Sequence, residues 1–359
     1  MAVAQTAQGG RTMNYIGLDI HKKNTQACVK NDEGKILMNV RFPSNSKDMN
    51  EFLDKIDPLG AASVVMEATG FCMYIYDIIE ARGYDVKVAH PLKVKALTAG
   101  RAKTDKNDAE MLAELLRLNA IPESYIPPKE LRELRELTRF RHSLVRSSAS
   151  IKNQVHAILA MRGIKTPPPL RSHFSKKHVK WLRSLEIVQL DDFLDIMALI
   201  DTKTAKADED IGRICHDDED VQRLKTIPGV GDVTATSFVA EIGDIERFAS
   251  PEKLASYAGL TPIVRQSGEK TWAGPISKRG NATLRYLLIE AAYSHVNSSK
   301  ESKLTRFFER KSQAKGRKKA IVATSRKMLE VVYYMLKRGE AYHAHSSDRC
   351  VFHASVERI

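Results

Sequence analysis

The sequence predicts three successive parts: an α/β domain built on one mixed sheet, a middle part of long helices, and a mostly helical final third. Short apolar runs alternate with helical patterns before Pro127-Pro128, apolar residues then recur at coiled-coil spacing, and a Pro-Gly-x-Gly turn opens the last third. We set the domain boundaries at 13–126, 127–220 and 221–340, followed by a tail at 341–359.

The first domain is predicted to begin with three antiparallel strands. The turn Asn31-Asp32-Glu33-Gly34 separates the second strand from the third. Helices are predicted at 46–56 and 73–82, and another begins at Asp105. The predicted strands cover 15–20, 27–29, 36–40, 63–67 and 85–89. A hairpin-led sheet followed by alternating helices and strands is typical of an α/β domain with one mixed sheet.

The middle part is predicted to contain two long helices. Arg141 and Ser148 interrupt the apolar seam of the first, a Pro-rich segment at 166–169 ends it, and the second runs over 188–215. The pair indicates an antiparallel hairpin or a dimerising arm, and packing inside one chain is equally consistent with the spacing. The residues at alternating three- and four-residue steps are Leu134, Leu137, Arg141, Leu144, Ser148, Ile151, Val155 and Ile158.

The last third opens on a predicted helix-hairpin-helix. Gly229 and Gly231 lie in its turn, before a helix at 233–242, and such a turn offers backbone N–H groups to a phosphate. The alternative is an ordinary tight turn that needs glycine for positive φ. Further on, the basic segment 311–319 precedes a helix at 320–337, where a clamp on nucleic acid and a solvated linker are equally consistent. Its candidate contacts are Lys315, Arg317, Lys318 and Lys319.

Composition indicates a globular protein with a polyanionic partner. The 359 residues are 43% hydrophobic, and 57 Lys and Arg against 44 Asp and Glu leave a formal charge of +13, so nucleic acid is the first candidate. The four cysteines lie far apart, which argues against a zinc knuckle and a disulfide scaffold. Without a signal peptide or a long apolar run, we expect a cytoplasmic protein with no membrane partner.

Four carboxylates stand out. Asp19 interrupts an apolar strand, Glu67 ends another, and Asp105 and Asp108 lie on the first turn of a helix. The helix dipole alone would explain the last two. Together the four suit Mg²⁺ or Mn²⁺, and two such ions about 4 Å apart clamp the attacking and leaving oxygens of phosphodiester transfer.

The segments YIGLDIHK, VVMEATG and KTDKNDAEMLA resemble the signature blocks of the DEDD-type insertion-sequence transposases, the family numbered one hundred and ten and its relatives, kin to the Piv DNA invertases. The resemblance continues through IPGVG, RQSG and ISKRGNATLR and covers about 13–339. It implies a RuvC-like first domain with the RNase H fold, a coiled coil, and a transposase domain with a nucleophilic serine. It also implies a bacterial, nucleoid-associated tetramer built from dimers, with an element-encoded bridge RNA that selects donor and target DNA.

The resemblance assigns the metal to Asp19, Glu67, Asp105 and Asp108 and the catalytic hydroxyl to Ser267. Ser277 is the rival serine, but we expect it to cap the next helix, whereas Ser267 is predicted to lie before Gly268 in a polar loop with no helix to cap. Cations near the proposed chemistry either neutralise phosphate or are solvated surface charges, and two aromatic residues either stack on bases or belong to the core. These cations are Lys103, Lys106, Arg265, Lys270, Lys278 and Arg279, and the aromatic residues are Tyr257 and Trp272.

Three functions compete at this point. The first is an RNA-guided DNA recombinase that forms a phosphoserine intermediate with DNA. The second is a RuvC-like endonuclease that cuts with metal-activated water, and the third is a non-catalytic nucleic-acid scaffold. Covalent trapping separates the first from the second, and substitution of the acids separates both from the third.

Overall fold

The fold is described by a computed structural model for residues 13–70, 72–97, 104–167, 174–267 and 270–343. The chain forms two compact units that meet in sequence between Ile126 and Pro127. Across the described ranges, no helix combines the length and the apolar character that crossing a membrane requires.

The first unit is built on a mixed five-stranded sheet in the order β3-β2-β1-β4-β5. The three leading strands are antiparallel to one another, whereas β4 runs parallel to both β1 and β5. The predicted α/β domain with a mixed sheet is therefore confirmed. The strands are β1 (Asn14–Ile20), β2 (Asn24–Lys30), β3 (Ile36–Pro43), β4 (Ala62–Glu67) and β5 (Asp85–Ala89).

Helices cover both faces of this sheet. On one face, α1 (Ser46–Ile56) and α2 (Cys72–Ala81) pack against the fully buried Ile16 and Leu18 of β1. On the other face, α4 (Asp105–Arg117) packs across β1, β2 and β4, and the short α3 (Pro91–Leu97) joins the same cluster. The sequence did not predict α3.

The second unit begins with a pair of long helices. The first, α5 (Lys129–Met161), packs against α7 (Val188–Cys215), with α6 (Lys176–Arg183) beside them. Arg141, which interrupts the predicted seam, donates to the carboxylate of Asp208 at 2.8 Å. The face of α5 that carries the predicted seam thus packs against α7 of the same chain, as in the alternative of packing inside one chain.

Over the described residues, the remainder of the second unit is helical apart from one hairpin, as predicted for a mostly helical final third. A buried cluster centred on Phe238 joins helices α8 to α13. The bounds are α8 (Glu219–Lys225), α9 (Asp232–Ile242), α10 (Pro251–Tyr257), β6 (Pro262–Ser267), β7 (Lys270–Ile276), α11 (Ala282–Ser298), α12 (Lys303–Lys315) and α13 (Arg317–Arg338).

One prediction for this region was wrong, and one of two open alternatives is excluded. The segment around Ser267 was expected to be a polar loop, but it is the antiparallel hairpin of β6 and β7. The basic segment 311–319 is not a linker: it is the end of α12 and the start of α13, joined at Gly316, whose φ of 80° ends the first helix. Four of its cations are therefore exposed on two helices: Lys315, Arg317, Lys318 and Lys319.

Candidate active site

Gly17 sets how closely α4 approaches the sheet. A methyl group on Gly17 would overlap the carbonyl oxygen of Ala109 and the amide of Ala113, so the α4 backbone lies directly on β1 at this point. Since alternate residues of a strand face the same side, Asp19 lies on the α4 face with Gly17. The close approach therefore carries the first turn of α4 toward the end of β1.

The strand register brings Glu67 beside Asp19. Leu18 pairs with Met66 in the parallel β1–β4 ladder, so Asp19 and Glu67 are the next residues along two adjacent strands. Val65 of β4 contacts the α4 face, and alternation places Glu67 on that face as well. Asp19 is 7% exposed and Glu67 is half-buried.

The first turn of α4 carries the other two predicted acids. Thr104 caps the helix, because its hydroxyl oxygen accepts from the N–H of Asn107, and Asp105 and Asp108 follow in the first turn. The helix dipole therefore does favour these two carboxylates, as the simpler explanation held. Both carboxylates also lie close enough to Asp19 to raise its pKa.

A possible metal-binding cluster forms at this edge of the sheet. One oxygen each from Asp19 and Asp105 and a ring nitrogen of His21 lie within 4.8 Å of one another. His21 Nε2 is 3.2 Å from Asp19 Oδ2 and 3.5 Å from Asp105 Oδ1. Carboxylate oxygens suit Mg²⁺ and Mn²⁺, and imidazole is a frequent additional ligand of transition metals. The donors present fit a hard divalent cation.

The surroundings of Asp19 contain too little positive charge to stabilise its ionised carboxylate. Burial raises the pKa of Asp19 above its ordinary value, and the charges of Asp105 and Asp108 raise it further, while His21 lowers it. A bound cation would reverse this balance, because it favours the ionised form. The cluster is thus arranged to gain free energy from a positive charge.

Two basic side chains beside the acids were not predicted from the sequence. His21 directly follows β1, and Arg41 of β3 places Nη2 3.8 Å from Asp105 Oδ2. Arg41 pairs with Gln26, and Gln26 pairs with Asp19, so register carries the arginine to the cluster. The sequence signal for His21 was its position two residues after Asp19, directly behind the strand β1.

The predicted serine belongs to the second unit. Ser267 is the last residue of β6 and pairs with Lys270, the first residue of β7. The side chains at 265–271 lie outside the described part of the structure, as do all atoms of Lys103. Ser277 does not cap a helix as expected: Asn281 does, with its side chain accepting from Leu284 N at 3.0 Å. The structural reason for setting Ser277 aside is therefore lost.

The other candidate contacts divide by exposure. Tyr257 packs against the core, whereas Trp272 is 53% exposed. Gly229 has the positive φ of a tight turn and packs against the backbone of His295, while Gly231 begins α9 and faces open space. The exposed basic residues are Lys106, Lys278, Arg279, Lys315, Arg317, Lys318 and Lys319.

Comparison with known proteins gives two family matches. A family model described as "Transposase", for the DEDD group, matches residues 16–161, and the model "Transposase IS116/IS110/IS902 family" matches residues 221–309. The first covers all four acids and the second covers Ser267.

Individual relatives extend along most of the chain. The transposase for insertion sequence element IS1111A of Coxiella burnetii is 27% identical over 92% of this chain and 92% of its own. A probable family 20 transposase of Pseudomonas aeruginosa is 24% identical over 92% and 98%. The transposase for insertion sequence element IS1328 of Yersinia enterocolitica is 26% identical over 78% and 83%.

Proposed function

Because the chain belongs to the IS110 family of transposases, we propose that it is the recombinase of an insertion sequence, which cuts and rejoins donor and target DNA in the bacterial nucleoid. An element-encoded bridge RNA selects the two DNAs, and the working assembly is a tetramer built from dimers. The observation that supports metal-dependent chemistry is that Asp19 and Asp105 lie close together, where the first turn of α4 reaches the end of β1.

The first unit supplies the metal-binding part of this activity, with a RuvC-like arrangement. Asp19, Glu67, Asp105 and Asp108 would hold one or two Mg²⁺ or Mn²⁺ ions, with His21 as a neighbouring donor. Bound ions would lower the charge on the phosphate and the pKa of an attacking hydroxyl. The acids are held on a strand end, a helix cap and a close helix–sheet contact, so their spacing is rigid.

The second unit supplies the nucleophile, Ser267. Its Oγ attacks a DNA phosphorus, a bond between Oγ and phosphorus forms, and the bond from phosphorus to one deoxyribose oxygen breaks. The serine proton is given up and the departing oxygen is released as a hydroxyl, so the phosphodiester energy is conserved in phosphoserine. Attack of a DNA hydroxyl on the phosphoserine forms a new phosphodiester, breaks the bond from Oγ to phosphorus and returns the proton to Ser267. The same hydroxyl restores the original strand, and one from another strand makes a recombinant strand. Support for Ser267 comes from the family resemblance of its segment.

Acid substitutions test the metal site. Asp19→Asn, Glu67→Gln, Asp105→Asn and Asp108→Asn each remove a ligand charge, so strand transfer should fall by orders of magnitude while the far-ultraviolet circular dichroism spectrum is retained. Glu33→Gln is the matched control, because it makes the same acid-to-amide change at an exposed residue in the turn between β2 and β3. Unchanged recombination by the Glu67 and Asp105 variants would refute the site, and a wild-type protein without any DNA cleavage would favour the scaffold alternative.

Covalent trapping tests the serine. Wild-type protein incubated with donor DNA, bridge RNA and Mg²⁺ should yield a protein–DNA adduct that survives denaturation, with its peptide mapping to Ser267. Ser267→Ala should lose the adduct and keep nucleic-acid binding, while Ser277→Ala should keep both. Cleavage without any adduct would favour the endonuclease that uses activated water, and an adduct peptide at Ser277 would reassign the nucleophile.

Mixing experiments test whether subunits share one active site. Ser267→Ala keeps its acids and Asp108→Asn keeps its serine, so a mixed tetramer with a shared site has one complete set. Adduct formation should then return in part. If it does not, each subunit uses its own acids and serine.

A nucleic-acid partner also predicts a steep salt dependence. With six phosphate contacts, the affinity should fall about 10³-fold or more between 50 and 200 mM salt. Bridge RNA should be bound in preference to unrelated RNA of the same length. Equal affinity for the two RNAs would contradict RNA guidance without affecting the metal site or the serine.

A further inference from the structure

A buried glutamate on α9 is completely paired. The side chain of Glu241 is 0% exposed, and Arg139 of α5 contacts both of its oxygens, with Nε–Oε1 at 2.6 Å and Nη2–Oε2 at 2.8 Å. Asn281 Nδ2 donates to Oε2 at 2.6 Å. Removing a carboxylate from water costs several kcal/mol unless such partners compensate, so each of these contacts is needed.

The same glutamate lies where α5 meets the end of α9. Arg135 of α5 donates to the main-chain carbonyls of Ala240 and Glu241, and Arg247 donates to that of Ile242. Cations at a helix C-terminus satisfy carbonyls that have no partner within the helix. Two arginines one turn apart on α5 thus fix the position of Glu241.

Asn281 connects Glu241 to the loop that follows the serine hairpin. Its Oδ1 caps α11, and its Nδ2 donates to Glu241 and to the hydroxyl of Tyr257. Its main-chain N–H donates to the carbonyl of Tyr257 at 2.7 Å. One side chain therefore joins α9, α10 and the start of α11 at the end of the loop 277–281.

The loop 277–281 is held in a strained and defined shape. Ser277 N donates to Thr261 O at 2.8 Å and Lys278 N donates to Gly259 O at 3.2 Å. Lys278 has a φ of 53°, which costs a residue with a side chain about 1–2 kcal/mol. Strain of this kind persists where the surroundings impose it, and it concentrates at functional sites. The result is a fixed loop that exposes Lys278 and Arg279 side by side.

We propose that Glu241 is a positioning residue that holds loop 277–281 as a phosphate-binding loop, whose Lys278 and Arg279 bind the DNA backbone beside the strand attacked by Ser267. The loop follows β7 directly, and Pro262 pairs with Ile276 at the base of the hairpin. At about 3.4 Å per residue, Ser267 lies about 17 Å along β6 from that base. At about 3.4 Å of helix axis per phosphate on one strand, the contacted phosphates therefore lie within about five nucleotides of the attacked one. The identification of the polyanion as this DNA rests on the proposed function.

The salt dependence of DNA binding tests the inference, because its slope counts phosphate contacts and a merely structural loss does not change that count. For full-length protein on a donor duplex, each lost contact lowers the slope of log K against log salt by about 0.9. Glu241→Gln and Asn281→Ser should each lose at least about one contact. Serine still caps α11 but lacks the amide donor, so Asn281→Ser leaves the helix intact.

Two further variants provide the controls. Glu330→Gln weakens another buried ion pair of the same unit, with Lys327 Nζ 2.7 Å from Glu330 Oε2, and should keep the wild-type slope. Lys278→Ala/Arg279→Ala should lose about two contacts. Adding Glu241→Gln to that double variant should change the slope no further, because Glu241 acts through those two cations.

The outcomes are distinct. A wild-type slope in both Glu241→Gln and Asn281→Ser overturns the inference, and so does a slope loss that persists in the Lys278→Ala/Arg279→Ala background. If Glu241→Gln fails to fold, Asn281→Ser alone decides. Failure of the serine assignment is separate: it would appear as a missing wild-type adduct with the salt slopes unaffected.

Discussion

Replacing Gly17 with alanine should damage the first unit and its acid cluster together. The added methyl group would overlap the backbone of α4 at Ala109 and Ala113 and would lie 3.0 Å from the Cβ of Leu112. Backbone atoms of a helix cannot rotate away as a side chain can. The helix as a whole must therefore move outward from β1, and Asp105 moves with it.

The size of the effect follows from the kind of clash. Overpacking typically costs about 1–3 kcal/mol, and for a domain near 100 residues each kcal/mol lowers Tm by about 4–8 °C. A displacement of about 1 Å at a catalytic group commonly costs about 10²-fold in rate. Gly17→Ala should therefore lower the Tm of the first unit by several degrees or more and slow DNA cleavage by about 10²-fold.

Calorimetry of the full chain in chelator, together with a single-turnover cleavage assay, measures both effects. Gly212→Ala is the matched control, because a Cβ at that position in α7 meets open space. Alanine in the middle of a helix should stabilise the second unit by about 0.5–1 kcal/mol and leave cleavage unchanged. A Gly17→Ala protein with wild-type Tm and activity would show that α4 does not rest on β1, and the argument for the clustered acids would fail with it.

Three further predictions concern the acid cluster. In chelator, Asp19→Asn should become more stable than wild type as pH rises from the carboxyl's ordinary pKa of 3.8 to the raised pKa of folded Asp19, and the difference should stay constant above that, because ionisation of Asp19 opposes folding; a difference in Tm that does not grow across this window, or that reverses, would contradict this. Mn²⁺ at about 100 times its Kd should stabilise the wild-type fold by about 2.7 kcal/mol and leave Asp19→Asn and Asp105→Asn almost unaffected, as thermal melts would show; equal shifts would exclude this cluster as the binding site. Arg41→Ala should lower the Mn²⁺ concentration that gives half-maximal stabilisation by up to about fivefold, because a half-exposed cation beside Asp105 opposes a divalent ion by about 1 kcal/mol or less. If the variant needs a higher Mn²⁺ concentration than wild type, Arg41 supports the site.

The sheet and its acids were predictable because their signals are local. An aspartate in an apolar strand and a glutamate at the end of another are visible without any knowledge of packing. The function of Gly17 could not be predicted from the local sequence, because the helix that packs against it begins at Asp105, far along the chain. His21 and Arg41 were missed for the same reason: an exposed basic side chain looks like solvated surface until the fold places it beside a carboxylate.

The errors in the last third have local physical causes. Ser277 and Asn281 are both good N-caps, and the choice depends on where the helix begins, which the packing of Gly280 against Tyr257 decides. The β6–β7 hairpin carried the expected signals, since Gly268 lies between segments with β-branched and aromatic residues. The loop prediction gave too much weight to the polar residues near its tip.

Asp19 and Glu241 look alike in the sequence, since each is an acid between apolar neighbours, and the structure separates them by their partners. Burial raises the pKa of Asp19 and the nearby carboxylates raise it further. Burial also raises the pKa of Glu241, but the hydrogen bonds from Arg139 and Asn281 outweigh it and lower the pKa below its ordinary value. A buried carboxylate without enough positive charge around it is stabilised by a bound cation. A buried carboxylate whose oxygens are already paired with cations and hydrogen-bond donors instead holds those partners in place. On this criterion Asp19 is suited to chemistry and Glu241 to positioning.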